Sequence, residues 1–276
     1  MMRRRFQQVD VFTANALRGN PLAVVIDAVG LVDADMAAFA RWTHLSETTF
    51  LLPPGEPGAD YRVRIFTPSG ELPFAGHPTL GSCHVWLASG GRPRGDEVLQ
   101  ECAIGLVRIR RDGVRLAFAA PPLRRSGPVE GDVLERIARG LRLPLDAICA
   151  SQWVDNGPGW VAVMLGGRDQ LLAVEPDYPA LHGLMLGVVA PWPGGAAQFE
   201  VRALIGTSPG YEDPVTGSLN ASLAQWLISA GMAPSSYVAS QGTVLQRAGR
   251  VHIDRQGDTV WVGGDVAGCI EGHVTL

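Results

Sequence analysis

The chain has 276 residues, of which 46% are hydrophobic and 18% charged, and a formal net charge of −4. That length holds one large domain or two of ordinary size, each with ample core. The slightly acidic balance gives no electrostatic reason to expect nucleic acid or an anionic membrane as partner, and no apolar run approaches the ~20 residues of a transmembrane helix.

The basic start "MRRR" is followed by "FQQVDVF" rather than by the apolar stretch of an export signal. "FQQVDVFT" and "NPLAVVI" read as strands around a loop with Asn15, Gly19 and Asn20. "DADMAAFARWT" reads as a short helix with Asp33 and Asp35 near its start. "ETTFLLP" and "YRVRIFTP" are strands, the second alternating Val63 and Ile65 with arginines. "ELPFAGHPTLGSCHVW" then opens an apolar helix at Gly76-His77-Pro78. "LVRIRRDGVRLAFA" is a hairpin around Asp112-Gly113.

The proline-rich stretch 121–128 is the expected linker between an N-terminal half, 1–120, and a C-terminal half, 129–263. The last strand, about 264–276, is a candidate to return to the first half. In the second half "VLERIARGLRL" is a helix, and "SQWVDNGPGWVAVML" is a pair of strands around a Gly-Pro-Gly turn. "LLAVEPDYPALHGL" suggests a strand end and a short helix, and "QFEVRALIG" a strand. "EDPVTGSLNASLAQWL" opens a second apolar helix at Gly217-Ser218. A β meander follows, with turns expected at Ala248-Gly249, Gln256-Gly257 and Gly263-Gly264.

The order contains a repeat. Gly76 and Gly217 are 217 − 76 = 141 residues apart, and so are Gly90 and Gly231, each just past its helix. The expected architecture is α/β of the α+β kind: two pseudo-symmetric domains, each a mixed sheet curled around one central helix. Both helices are apolar on nearly every side, so their surroundings must enclose them. Their N-termini must still satisfy free N–H groups. A glycine at such an end permits close approach, and the N–H donors and helix dipole favour a carboxylate.

"FTPSGELPFAGHPTLG", "LSETTF", "EDPVTGS" and the closing "GRVHI…VWVGGDV" resemble the PhzF-like phenazine-biosynthesis family, which shares the diaminopimelate epimerase-like fold. The resemblance extends from "VDVFTANALRGNPLAVV" to the last strand. It implies a cofactor-independent isomerase with its site in the cleft between the halves, neither metal nor organic cofactor, a homodimer, and a role in biosynthesis of the secondary-metabolism kind. Carried over residue by residue, it makes Glu47 the general acid/base and gives His77, Asp213 and Ser218 catalytic roles. Gly76, Pro78, Thr216 and Gly217 would line the substrate at the two helix mouths. The epimerase branch has thiols at positions that here read Ala75 and Gly217, so two-thiol racemisation is not available.

Each residue also has an ordinary reading. Glu47 could be a strand end, His77 and Ser218 helix caps, and Asp213-Pro214 a turn start. Their matching places in two halves and the family pattern favour function. "HLSE" resembles a metal half-site but lacks a further ligand pair. Cys83, Cys102, Cys149 and Cys269 form no CxxC pair, which points to reduced thiols and a cytoplasmic protein. Cys83 is expected to be core.

The expected reaction is acid/base proton transfer on a small carboxylated substrate, cyclic or derived from an amino acid. The alternatives are an amino-acid epimerase or racemase, and a small-molecule-binding protein of the same fold without catalysis.

Overall fold

The computed structural model describes residues 2–276. The chain forms two compact units, Met1–Ala119 with Gly263–Leu276, and Ala120–Val262.

The first unit contains β1 (Arg3–Val11), β2 (Asn20–Val25), α1 (Asp33–Thr43), β3 (Glu47–Leu52), β4 (Tyr61–Thr67), β5 (Gly70–Leu72) and α2 (Gly76–Ala88). It continues with β6 (Glu97–Cys102), β7 (Gly105–Asp112), β8 (Arg115–Ala119) and, from the far end of the chain, β18 (Val266–Thr275). The basic start of the chain is therefore the opening of a strand. The sheet runs β18–β1–β2–β3–β4. Beyond β4, the short β5 pairs with one end and β6 with the other, and β7 and β8 follow β6. The β2–β3 and β4–β6 pairs are parallel and the others in this sheet antiparallel.

The second unit repeats that plan. It contains β9 (Arg125–Gly127), α3 (Gly131–Leu141), β10 (Ile148–Asp155), β11 (Trp160–Leu165), α4 (Arg168–Leu172), β12 (Met185–Pro191) and β13 (Phe199–Ile205). Then come β14 (Tyr211–Asp213), α5 (Gly217–Ser229), β15 (Ser236–Gln241), β16 (Gly249–Gln256) and β17 (Thr259–Gly264). The order is β9–β10–β11–β12–β13, with β14 and β15 sharing the far side of β13 and β16 following β15. Again two pairs are parallel, β11–β12 and β13–β15, at the places where the first unit has β2–β3 and β4–β6.

Each sheet curls around its own helix, because α2 and α5 have no polar side to leave in water. From Gly76 to Cys83, α2 is buried without interruption. Gly81 makes this possible, since a Cβ there would stand 2.5 Å from Leu22 Cδ2. Leu219, Leu223 and Leu227 bury α5, and Gly187 on β12 leaves room for Leu219, whose Cδ1 would lie 2.4 Å from a Cβ. Both helices end alike. Gly91 N–H bonds Trp86 C=O at 2.9 Å and Met232 N–H bonds Leu227 C=O at 2.8 Å, each one residue past a glycine of positive φ.

Several sequence expectations need correction. Gly249 opens β16 and Gly263 stands inside β17, rather than either lying at a turn. Close approach, not chain reversal, requires them: a Cβ on Gly249 would meet Val215 Cγ2 at 2.4 Å, and one on Gly263 would meet Leu116 O at 3.0 Å. Leu171 and Leu172 belong to α4, and 178–183 is a run of turns rather than a short helix. Within the expected linker, residues 125–127 form β9 and pair with β10. No helix is long and apolar enough to cross a membrane.

Candidate active site

At the mouth of α2, Ala75 is extended (φ −152°, ψ 142°) and no side chain caps the helix. Pro78 is the third helical residue, where its fixed φ suits the helix and its missing N–H would have had no intrahelical partner. The mouth therefore offers the N–H groups of Gly76 and His77. Thr79 closes the first turn by donating its hydroxyl to Ala75 C=O at 2.9 Å. That hydroxyl accepts from Gln100 Nε2 at 3.1 Å, and Gln100 Oε1 accepts from Tyr61 at 2.7 Å.

The parallel β2–β3 pair brings Glu47 to this mouth. Glu47 begins β3 opposite Leu22, beside Asn20 and Pro21. Its Oε2 lies 3.5 Å from His77 Nε2. The contact is not an ion pair at neutral pH, because burial pushes His77 from 6.5 down to about 3. A hydrogen bond to Pro21 opposes that shift. Proline has no N–H, so its carbonyl accepts and the ring donates. Nε2 has no hydrogen-bond partner, which assigns the donated proton to Nδ1 and leaves the Nε2 lone pair facing Glu47. Asn20 Nδ2 stands 3.4 Å from Nδ1.

At the mouth of α5, the N–H groups of Gly217, Ser218 and Leu219 open the helix, again with no side-chain cap. Here the polar groups are more densely bonded, with Asn156 Oδ1 the buried atom that lacks a partner. Thr216 donates its hydroxyl to Asp213 Oδ2. Gln241, wholly buried, accepts from Thr216 N–H at 3.0 Å and Asn220 Nδ2 at 2.8 Å, and donates to Asp213 C=O at 3.1 Å and Thr216 Oγ1 at 3.0 Å. Ser218 Oγ accepts from Trp160 Nε1 at 3.1 Å, and Asn156 Nδ2 donates to Ser218 C=O at 2.9 Å. An indole N–H cannot take a proton, so Trp160 positions this hydroxyl without activating it as a nucleophile.

Within the first unit the structure thus brings Glu47, Gly76, His77 and Pro78 together. Within the second it groups Asp213, Thr216, Gly217 and Ser218. The sequence reading missed Asn20, Gln100, Asn156, Trp160, Asn220 and Gln241. A usable signal existed, because Gln100 follows Thr79 by 100 − 79 = 21 residues and Gln241 follows Asn220 by 241 − 220 = 21. Both glutamines sit on the strand after the central helix and hold its fourth residue.

Cys83 is buried, and burial pushes its thiol up to about 12. Among the described residues no group of three or more His, Cys, Asp and Glu side chains is placed to hold a metal ion.

The phenazine biosynthesis-like protein family model matches residues 9–272. The "Antisense-enhancing sequence 1" protein of Schizosaccharomyces pombe is 34% identical, with 99% of each chain covered. The trans-2,3-dihydro-3-hydroxyanthranilate isomerase of Pseudomonas aeruginosa is 32% identical, again with 99% of each covered. A solved structure of a predicted epimerase from Pseudomonas aeruginosa is 28% identical and superposes with a TM-score of 0.81 over 99% of each chain. The two sheet-wrapped helices are thus the architecture of PhzF proteins and their epimerase-like relatives. With isomerases among relatives that span its length, this chain is an enzyme of the isomerase class, and it belongs to the phenazine biosynthesis-like protein family.

Proposed function

We propose that the protein is a cofactor-independent isomerase that moves a proton on a small carboxylated substrate, cyclic or derived from an amino acid. The observation that carries this reading is the Glu47–His77 contact at the buried mouth of α2. A carboxylate oxygen and an imidazole lone pair 3.5 Å apart repel one another unless a proton stands between them. The pair is therefore suited to hold one proton and release it. Glu47 would exchange that proton with an acidic C–H carbon, and His77 would store and relay it. The free N–H groups of Gly76 and His77 would hold the substrate's carboxylate beside Glu47. Asp213 and Ser218, with Thr216 and Gly217, are assigned as positioning groups for the substrate's polar substituents.

A general acid/base of this kind contributes ~10²–10⁴-fold to rate. Similarity to a dihydrohydroxyanthranilate isomerase supports a substrate of related chemistry. Epimerisation with two thiols is disfavoured: Ala75 and Gly217 occupy the relevant places, and the Cys83 thiol is buried and held protonated. A homodimer in the cytoplasm completes the reading, and sedimentation equilibrium at twice the 29.4 kDa chain mass is the expected result.

The experiment is proton exchange in deuterated water with candidate cyclic amino acids. The parent enzyme should incorporate deuterium at the reacting carbon, and His77→Ala should weaken both rate and ligand binding, because it alters the mouth itself. A parent enzyme that isomerises substrate with no solvent deuterium in product, at any substrate concentration, would redirect the mechanism to a shielded or non-protic route.

A further inference from the structure

The N-terminal arginines take no part in the reaction above, and the structure gives one of them an unusual setting. Arg4 on β1 is only 6% exposed. Its Nη1 donates to the carbonyls of Asp27 and Val29, while its Nε is buried with no hydrogen-bond partner. Among the described residues no carboxylate forms an ion pair with it. Asp27, the nearest acidic candidate, is held by Arg5 through two hydrogen bonds of 2.8 and 2.7 Å. That pairing chiefly lowers the Asp27 carboxyl below its ordinary value, with Arg4 a lesser cause.

Arg4 lines a cavity of about 640 Å³, together with Leu51, Pro53, Tyr61, Trp86 and Ser89. That volume is within the range of small-molecule sites. The cavity lies at the C-terminal end of α2, roughly 20 Å along a helix of this length from Gly76 and His77. It is thus separate from the mouth where Glu47 stands.

Charge decides what this cavity takes. Its other charged groups are Arg3, which reaches His273 at 3.1 Å, the Arg5–Asp27 pair, and Asp60, which accepts the N–H groups of Arg94 and Leu99. The C-terminal end of α2 adds only a partial negative charge, which does not replace a counter-ion for a buried guanidinium. Arg4 therefore remains short of an anion after the protein's own groups are counted. The apolar wall formed by Leu51, Pro53 and Trp86 suits the body of an organic anion better than a bare inorganic one.

We propose that this cavity is a second ligand site, which binds a small organic carboxylate through Arg4 with the apolar body of the ligand against Leu51, Pro53 and Trp86. The inference does not depend on the reaction assigned to the α2 mouth.

The test uses the full chain and 4-bromobenzoate as probe, by crystal soaking and by isothermal titration calorimetry. Bromine anomalous density in the cavity, with the carboxylate on the Arg4 guanidinium, is expected. Arg4→Met should remove one bound equivalent per chain or weaken it at least tenfold. Val29→Glu should do the same. Val29 lines the cavity and is 61% exposed, so this variant can place a competing carboxylate near Arg4 without disturbing the core. It keeps the test decisive if Arg4→Met does not fold. Absence of bromine density at Arg4 at saturating probe would overturn the proposal. So would density there accompanied by unchanged solution binding in the variants, which would leave Arg4 as a tie between β1 and the 27–29 loop.

Discussion

The two central helices are alike in length, burial and termination, yet their mouths are bonded differently. At the α5 mouth Gln241 makes four hydrogen bonds, and Ser218 is held by Trp160 and Asn156. At the α2 mouth Gln100 makes two, and His77 Nε2 faces Glu47 without a hydrogen bond. A buried polar network that is satisfied is rigid, whereas a buried polar atom left unsatisfied costs ~1–3 kcal/mol. The α5 mouth is thus the more densely bonded of the two; Asn156 Oδ1 there lacks a partner, as His77 Nε2 does at the α2 mouth, but only the latter faces a carboxylate. A buried imidazole lone pair beside a carboxylate is what proton transfer needs.

Replacing the two glutamines should give the largest difference between the mouths. Gln241→Leu strands the Thr216 N–H and the Asn220 amide in a buried place, and should cost ~4 kcal/mol in denaturant unfolding. Gln100→Leu removes fewer bonds and should cost ~2 kcal/mol. Equal losses would contradict this difference between the mouths.

Next in size is an effect of pH. His77 is held neutral by burial, with its pKa lowered from 6.5 to about 3 in the folded chain. The unfolded state binds the extra proton between those values, so stability rises with pH there. The contribution is fully present above pH 6.5 and is lost as pH falls toward 3. It should amount to ~2 kcal/mol between pH 6.5 and 5. His77→Asn should flatten that part of the stability–pH curve, and an unchanged slope would mean that the ring is charged in the fold.

The smallest effect belongs to the thiol. Cys83→Ala should leave turnover unchanged and cost about 1 kcal/mol of stability through a small lost contact. Inactivation with intact folding would reopen an epimerase mechanism that uses a thiol.

Much of the scaffold was legible because it is written in short-range patterns. Residues 33–43 read as a helix and form α1 over Asp33–Thr43, and Gly76 and Gly217 each open a helix after a 141-residue interval. Glycine was the weak point. Gly249 and Gly263 looked like turns, but their lack of a Cβ serves packing within strands, which only the folded partner reveals. "MLGVVAP" is an apolar run without period, and it became β12 because a parallel neighbour and α5 bury it. At the mouths the titratable residues drew attention and the amides did not. Gln100 and Gln241 carry no charge, and their value lies in hydrogen bonds to residues distant in sequence.

If Glu47 transfers the proton, Glu47→Gln should no longer incorporate solvent deuterium. Glutamine keeps the shape of the side chain and removes the titrating carboxyl. The variant should bind an anthranilate-like acid nearly as well as the parent, yet lose turnover by ~10²–10⁴-fold together with solvent deuterium incorporation. Exchange at close to the parental rate in a folded, ligand-binding Glu47→Gln enzyme would contradict the claim and move the search for the base to Asp213.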